Sequence, residues 1–419
     1  MSDVLIVYLR EHRVGRLWLG EGRRFAFQYD EDWLSDPQVV PLSIALPLQP
    51  DVYEDDTARP FFANLLPESE LRKVIARRLG LSEGNDFALL EAIGGECAGA
   101  VSLLPEGTEL AEAGEYQPLS EDELNALVEE LPKRPLLAGE SGVRLSLAGV
   151  QNKLPVFYDE GADTVYLPKG STPSQHILKP PIAHFPHTVE NEAFCMQLAQ
   201  RIGLPVPRAV MVQKAVPLYL VERYDRKMTP ERKVIRLHQE DFCQALGIAP
   251  DMKYEKEGGP TLQACFDLVR NVSLTPIVDI KAMLNWVVFN YLIGNADAHG
   301  KNISLLFNEQ GPVLAPFYDI MSTAVYPELT ERLAMRIGGE DRPDWVIARR
   351  WEQFAEDAGV KYNIVHQTLT GMGDKLVAEA HALKEEFTAQ YGACDIIDKI
   401  IAIIEQRVSK VTRALAAAE

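Results

Sequence analysis

The sequence predicts an α+β fold in three successive stretches: a small α+β domain over residues 1–105, a strand-bearing stretch with an acidic connector over 106–224, and a mainly helical stretch over 225–419. Three observations carry that reading. Short runs with strand periodicity, separated by Gly or charged turns, fill the first stretch and return after Lys153. Helical apolar spacing dominates from Gln239 to the end. Between the first two stretches, Pro105 to Ser141 is acidic and is broken by Pro132, Pro135 and Gly139, the composition of a domain junction.

Bulk properties narrow the function classes. The chain has 419 residues, 47% apolar and 25% charged, which suits an ordinary globular protein with ample core. Its net charge of −19 gives no global attraction to nucleic-acid phosphates or anionic membranes, so any DNA contact needs a basic partner or a local patch. Cys97, Cys195, Cys243, Cys265 and Cys394 are odd in number and scattered without a C-x-x-C, which speaks against disulfides and zinc. Reduced thiols in a cytoplasmic protein are the expectation. The start, MSDVLIVYLREHR, lacks the pattern of a signal peptide, and no apolar stretch is expected to span a membrane.

In the first stretch, Val4 to Leu9, Arg16 to Leu19 and Arg24 to Tyr29 read as strands. Pro67 and Gly80 punctuate a helix over Glu68 to Leu79. A second helix starts at Ser82 or Asn85 and stops at Gly94-Gly95, and Val101 to Leu104 closes the domain as a strand. Arg72, Lys73, Arg77 and Arg78 crowd the first of these helices; a solvated face or a partner contact would explain them. In the connector, Ser120-x-x-Glu123 is a capping box that starts a helix to Leu131.

The segment Arg144 to Lys153 has one Gly in its middle and then two amides and a lysine. It is neither G-x-G-x-x-G nor a Walker motif, so a phosphate loop and a plain hairpin corner both remain open. His176 to Lys179 reads as a strand ending in a lysine, which is costly in apolar surroundings unless an anion meets it. A helix from Val189 to Gly203 follows with Glu190 and Glu192 in its first turn, and Glu192 is the better partner for Lys179. Two strands, Pro205 to Val212 and Leu218 to Val221, lead to Glu222-Arg-Tyr224-Asp-Arg226. By position, that exit would be the hinge whose backbone meets an adenine in a two-lobed nucleotide enzyme.

The chemistry concentrates between Trp286 and Asp319. A buried helix to Ile293 ends at Gly294; the polar loop N-A-D-A-H-G-K-N follows, then a hairpin of Ile303–Phe307 and Val313–Phe317 that delivers Asp319. A carboxylate at Asp297, an amide five residues on at Asn302 and a second carboxylate after a hairpin are the parts a phosphoryl-transfer site needs. One acid handles the attacking hydroxyl; the amide and the other acid suit magnesium, which prefers hard oxygens. D-x-x-x-x-N by itself is common in ordinary turns, but the helix before it and the hairpin after it give this copy a context.

Several motifs then fall in one order: N-L-L-P-E at Asn64–Glu68, L-L-E-A-I-G-G-E-C-A-G-A at Leu89–Ala100, R-L-S-L-A-G-V-Q-N-K at Arg144–Lys153, L-P-K-G-S-T-P-S-Q-H-I-L-K at Leu167–Lys179, V-E-R-Y-D-R at Val221–Arg226, L-I-G-N-A-D-A-H-G-K-N at Leu292–Asn302 and P-F-Y-D at Pro316–Asp319. Together they resemble the HipA family, serine/threonine-protein kinase toxins of bacterial type II toxin–antitoxin modules. The resemblance implies a two-lobed protein-kinase-like fold with an extra small N-terminal α+β domain and a helical C-terminal lobe. It makes Asp297 the catalytic acid, Asn302 and Asp319 the Mg²⁺ ligands, and Lys179 the phosphate-binding lysine. Ala148, Gly149, Val150, Gln151, Asn152 and Lys153 become the loop over the phosphates, and Glu222, Arg223 and Tyr224 the adenine-contacting hinge. Ser146 matches a serine that family members autophosphorylate, which ejects the loop and silences the kinase. His299 stands where protein kinases usually place a lysine, and Asp319 is not followed by glycine; His299 or Lys301 would then neutralise the transferred phosphate, with a merely structural His299 as the alternative.

The expected activity is ATP- and Mg²⁺-dependent phosphorylation of a serine or threonine on a translation-related protein such as an aminoacyl-tRNA synthetase. The implied partner is a small, basic, HipB-like DNA-binding antitoxin, through which DNA would be touched indirectly; no membrane is implied. The competing expectation is a kinase-shaped corepressor that docks the antitoxin without catalysis. A small-molecule or lipid kinase ranks last, since nothing basic or amphipathic favours a membrane substrate.

Overall fold

The structure is a computed structural model describing residues 4–110, 113–139, 144–231 and 233–416. The chain begins as an antiparallel meander of β1 (Val4–Leu9), β2 (His12–Leu19) and β3 (Phe25–Tyr29). Helices α1 (Glu31–Ser35), α2 (Asp55–Ala63), α3 (Ser69–Leu79) and α4 (Asp86–Ile93) follow, and β4 (Val101–Pro105) returns beside β1, giving the sheet order β3-β2-β1-β4. Asn85 caps α4 by accepting from the Ala88 N–H, and Gly80 ends α3 at φ 67°. The sequence reading missed α2, which carries Pro60 inside it. One face of the sheet packs Leu5, Val7 and Phe27 against Phe62, Ile75 and Leu90. The basic cluster on α3 divides: Arg72 pairs with Asp86 and Arg78 donates to the Ala138 carbonyl (2.9 Å), while Lys73 pairs on the surface with its neighbour Glu70.

The acidic connector is more than a linker. Besides α5 (Glu121–Glu130), whose Ser120–Glu123 capping box forms, it supplies β5 (Ala113–Pro118). β5 edges a second sheet with β6 (Leu154–Asp159), β7 (Thr164–Gly170) and β8 (His176–Lys179). After helix α6 (Thr188–Ile202), strands β9 (Ala209–Gln213) and β10 (Pro217–Glu222) complete the order β5-β7-β6-β8-β10-β9. One face of this sheet packs Leu154, Val156 and Leu220 on Leu124 and Leu131 of the connector. The other turns Tyr219 and Val221 toward α6 and the helical core beyond.

Strands continue where helix was expected. β11 (Arg226–Met228) and β12 (Val234–Arg236) form a ribbon, and β13 (His238–Asp241) precedes the short α7 (Phe242–Ala245). His238 to Asp241 are polar yet buried, because Glu240 and His238 bond to Ser43, Ile44 and Leu42 of the N-terminal domain. Local periodicity cannot show partners so far away. Then come α8 (Leu262–Val272), α9 (Pro276–Ile293), the hairpin β14 (Ser304–Asn308) and β15 (Gly311–Leu314), α10 (Ala348–Asp357), α11 (Tyr362–Tyr391) and α12 (Asp395–Ala416). β13, β14 and β15 make a small sheet. α9 is the one helix among the described residues long and apolar enough by composition for a membrane span, its 18 residues averaging a hydropathy of 1.2. It runs through the largest core among the described residues, with Trp286, Phe289, Tyr291 and Leu292 buried and the helix packed against α8, α11 and α12.

Candidate active site

Gly294 ends α9 in the left-handed region (φ 76°), and a Cβ there would stand 2.9 Å from Ala324 and Ile403, so the turn requires glycine. The loop beyond is fixed by its own amides. Asn295 donates to Asn290 Oδ1 (2.7 Å) and accepts from the Asp297 N–H (3.0 Å), while Thr323 accepts from the Ala296 N–H (2.7 Å). Asp297 emerges with its side chain 50% exposed. Its Oδ1 accepts from the Tyr254 hydroxyl at 2.7 Å and lies 3.9 Å from His299 Nε2. Asn302 is buried, and its Oδ1 accepts from the His299 N–H (3.1 Å). Burial pushes the His299 imidazole down to about 4, so near neutral pH it brings no positive charge. It could offer a phosphate a hydrogen bond at most: its buried Nδ1 has no partner among the described residues.

Facing this loop, Asp319 adopts φ 54°, unusual for a residue with a Cβ. It accepts from Lys179 at the end of β8, whose ammonium also donates to Glu192 Oε1 of α6 at 2.6 Å. Burial opposes the Lys179 charge, but Asp319 and Glu192 outweigh it and hold the amine above its ordinary value. Burial would also lift Asp319, yet Lys179 and Lys153 bring it down to about 2, so it stays ionised. The Asp319 side chain is 38% exposed, unlike the lysine beneath it. Tyr219 pairs with Lys179 across the strands, lays its ring 5.5 Å from the ammonium, and buries a hydroxyl with no partner among the described residues.

The segment before β6 folds over this cluster. Gly149 has φ 110°, and its carbonyl accepts from the Glu68 N–H (3.1 Å). Val150 is exposed, Gln151 donates to the Pro180 carbonyl (3.3 Å), and Asn152 Oδ1 is buried without a partner among the described residues. Lys153 donates to the Ala148 carbonyl, and burial lowers its amine to about 8. Ser146 is fully buried, its hydroxyl donating to the Leu65 carbonyl at 2.7 Å.

Two of the candidate side chains are engaged within the protein. Lys301 does not reach toward phosphate: its ammonium donates to Asn64 Oδ1 (2.5 Å), the Asn64 carbonyl (3.2 Å) and Asp241 Oδ2 (3.0 Å), which uses all its protons. Arg223 is turned inward. Its N–H donates to the Gln175 carbonyl (2.8 Å), and its guanidinium is buried on Asp225 and Ser174. Of the other two expected hinge residues, Glu222 is exposed, and Tyr224 is half-buried and stacked on Tyr318 (5.5 Å, 22°). Four residues at the site escaped the sequence reading: Tyr219, Tyr254, Asn64 and Glu68. Asn64 and Glu68 stood in a quoted motif, but nothing local announces contacts to Lys301 and Lys253 across the chain.

A sheet lobe presenting a lysine held by a helix glutamate, set against a helical lobe presenting loop and hairpin carboxylates, is kinase architecture, and the chain is a protein-kinase-like enzyme. Known proteins narrow the class. The HipA N-terminal domain family matches residues 5–104, and the HipA-like C-terminal domain family matches residues 145–381. The chain is 46% identical over 392 residues to Y4mE of Sinorhizobium fredii, covering 92% of this chain and 93% of that one. It is 34% identical over 398 residues to the serine/threonine-protein kinase toxin HipA of Shewanella oneidensis, covering 90% and 89%. A solved complex of Shewanella oneidensis HipA, HipB and operator DNA contains a chain that superposes with a TM-score of 0.84 at 31% identity, covering 98% of this chain and 97% of that one. The chain belongs to the HipA family.

Proposed function

We propose that this chain transfers the γ-phosphoryl group of ATP to a serine or threonine hydroxyl of another protein, as the toxin of a toxin–antitoxin module. The observation that carries the reading is the meeting of Lys179 from the sheet lobe with the ionised, partly open Asp319 from the helical lobe. Lys179 would hold the α and β phosphates, steadied by Glu192. Asp297 would accept the acceptor's proton, work typically worth about two to four orders of magnitude in rate. Asn302 and Asp319 present only oxygen donors, and Asp319 stays charged, which fits Mg²⁺. When bound, that ion would offset phosphate charge. The buried, unpartnered Asn152 Oδ1 and His299 Nδ1 supply hydrogen-bonding capacity that a nucleotide could use.

Ser146 would be the autophosphorylation site. In its present place the hydroxyl faces a carbonyl, where a phosphate dianion could not remain. Phosphorylation there would therefore keep the Ala148–Lys153 segment out of the cleft. A HipB-like antitoxin fits a chain of net charge −19, since a small basic protein could carry the DNA contact. The relative solved with HipB and operator DNA supports that partner. The protein target would be translation-related, such as an aminoacyl-tRNA synthetase. Asp319→Asn should abolish label incorporation from γ-labelled ATP·Mg²⁺ while leaving the thermal midpoint near wild type. Label at the wild-type rate would remove the assignment, and a wild-type chain that binds ATP but incorporates none would be a docking module.

A further inference from the structure

Asp297 has a partner that the roles above leave unused. Tyr254 lies between α7 and α8, flanked by one-turn helices at Pro250–Met252 and Glu255–Glu257. Its carbonyl accepts from the Glu257 and Gly259 N–H groups, both at 2.9 Å. A Cβ on Gly259 would stand 2.3 Å from the Met252 carbonyl oxygen, so this turn is closely wound. From it the half-buried Tyr254 presents its ring edge to His299 (5.3 Å, 82°) and its hydroxyl to Asp297 Oδ1. Burial and the Asp297 charge raise the phenol, so it remains a protonated donor. Oδ1 is also the oxygen nearer His299, whereas no donor among the described residues reaches Oδ2. One carboxylate oxygen is anchored and the other is left open.

The anchor is itself anchored. Lys253 donates to Glu68 Oε2 (2.9 Å), in the N-terminal domain just ahead of α3. Burial would neutralise Glu68, but Lys301 and Lys253 hold it below its ordinary value. Lys301, 3.6 Å from the same carboxylate, immediately precedes Asn302.

We propose that Tyr254 is a positioning residue for phosphoryl transfer, fixing Asp297 so that Oδ2 faces the acceptor hydroxyl, and that Glu68 sets Tyr254 in place through Lys253. The N-terminal domain is then part of the catalytic apparatus. This rests on the kinase reading. A carboxylate free to rotate about its χ angles spends less time in line with the acceptor, which costs turnover and leaves nucleotide binding alone.

The test measures label transfer from γ-labelled ATP·Mg²⁺ to the chain itself and to myelin basic protein as a generic acceptor. Tyr254→Phe keeps the ring on His299 and removes only the donor. Its maximal rate should fall about tenfold or more, with the half-saturating ATP concentration unchanged. In an Asp297→Asn background the same change should cost nothing further, because both variants remove one function. Glu68→Gln should lower the maximal rate in the same way but less. Wild-type turnover in Tyr254→Phe, a loss that persists undiminished beside Asp297→Asn, or phosphate found on Tyr254 itself would each overturn the proposal. If the wild type labels neither acceptor, the kinase reading falls and takes this one with it; label with no effect of Tyr254→Phe removes this one alone.

Discussion

Two buried ionic clusters lie at either end of β8, each pairing basic side chains with an aspartate and a glutamate. At its C-terminal end Lys179 meets Glu192 and Asp319. Near its N-terminal end, Arg223 and Arg226 meet Asp225 and Glu96, joined by the Gly99 N–H (2.7 Å to Asp225) and by Ser174. The second cluster is more closed: the side chains of Arg223, Asp225, Arg226 and Glu96 are 2%, 6%, 3% and 15% exposed, and each acid is bracketed by guanidinium groups. The first is open on one side, at Asp319. Closure is what a structural lock needs, because every charge taken from water must be repaid by fixed partners. An open acid above a buried lysine leaves capacity for something that comes and goes. The difference sets Lys179, beside a partly exposed acid, apart from Arg223, whose guanidinium is enclosed.

The comparison is sharpest if the two clusters are broken separately. Asp225→Asn leaves two buried guanidinium groups short of an acid and should cost about 3–5 kcal/mol of stability, read as a lowered denaturation midpoint. Phosphotransfer per folded molecule should survive at temperatures where the variant is native. Lys179→Met should do the reverse. It removes a charge whose partners include a half-open acid, so stability should change less, while kcat/KM for ATP falls by about a hundredfold. Equal losses of stability and activity in both variants would erase the distinction between lock and site.

How much of this was legible in the sequence follows the same division. Local chemistry was readable: Gly294 as a helix end, the Ser120–Glu123 box, and the β8 strand with its terminal lysine all stand where spacing put them. So was the pairing of Lys179 with Glu192, because one apolar strand and one helix start offered few alternatives. What failed is long-range. Lys301 sits in the same loop as Asp297, yet its side chain turns to Asn64 and Asp241, a choice made by the docking of the N-terminal domain. Polar β13 looked helical because its burial depends on Ser43 and Ile44. The domain interface is written in residues that only the fold brings together.

At that interface Glu240 has no cation among its hydrogen-bond partners in the described residues, and it completes the comparison. Glu240 accepts from the Ser43 hydroxyl (2.5 Å) and the Ile44 N–H (2.9 Å), and burial raises its carboxyl to about 8. The folded state therefore keeps a proton that the unfolded chain gives up near its ordinary value of 4.5. The sign follows: the contribution is full below that ordinary value and is lost as pH climbs toward 8, at about 1.4 kcal/mol per pH unit at most. Glu240→Gln mimics the protonated form at every pH. Unfolding midpoints measured from pH 6 to 8.5 should show the wild type weakening relative to Glu240→Gln, by about 2 kcal/mol across the window. His299, lowered to about 4, titrates below this range in the folded state and is common to both proteins, so it cancels from the difference. Parallel curves for the two proteins would mean that Glu240 is ionised in the fold and that a cation, as in the two clusters above, has been found for it.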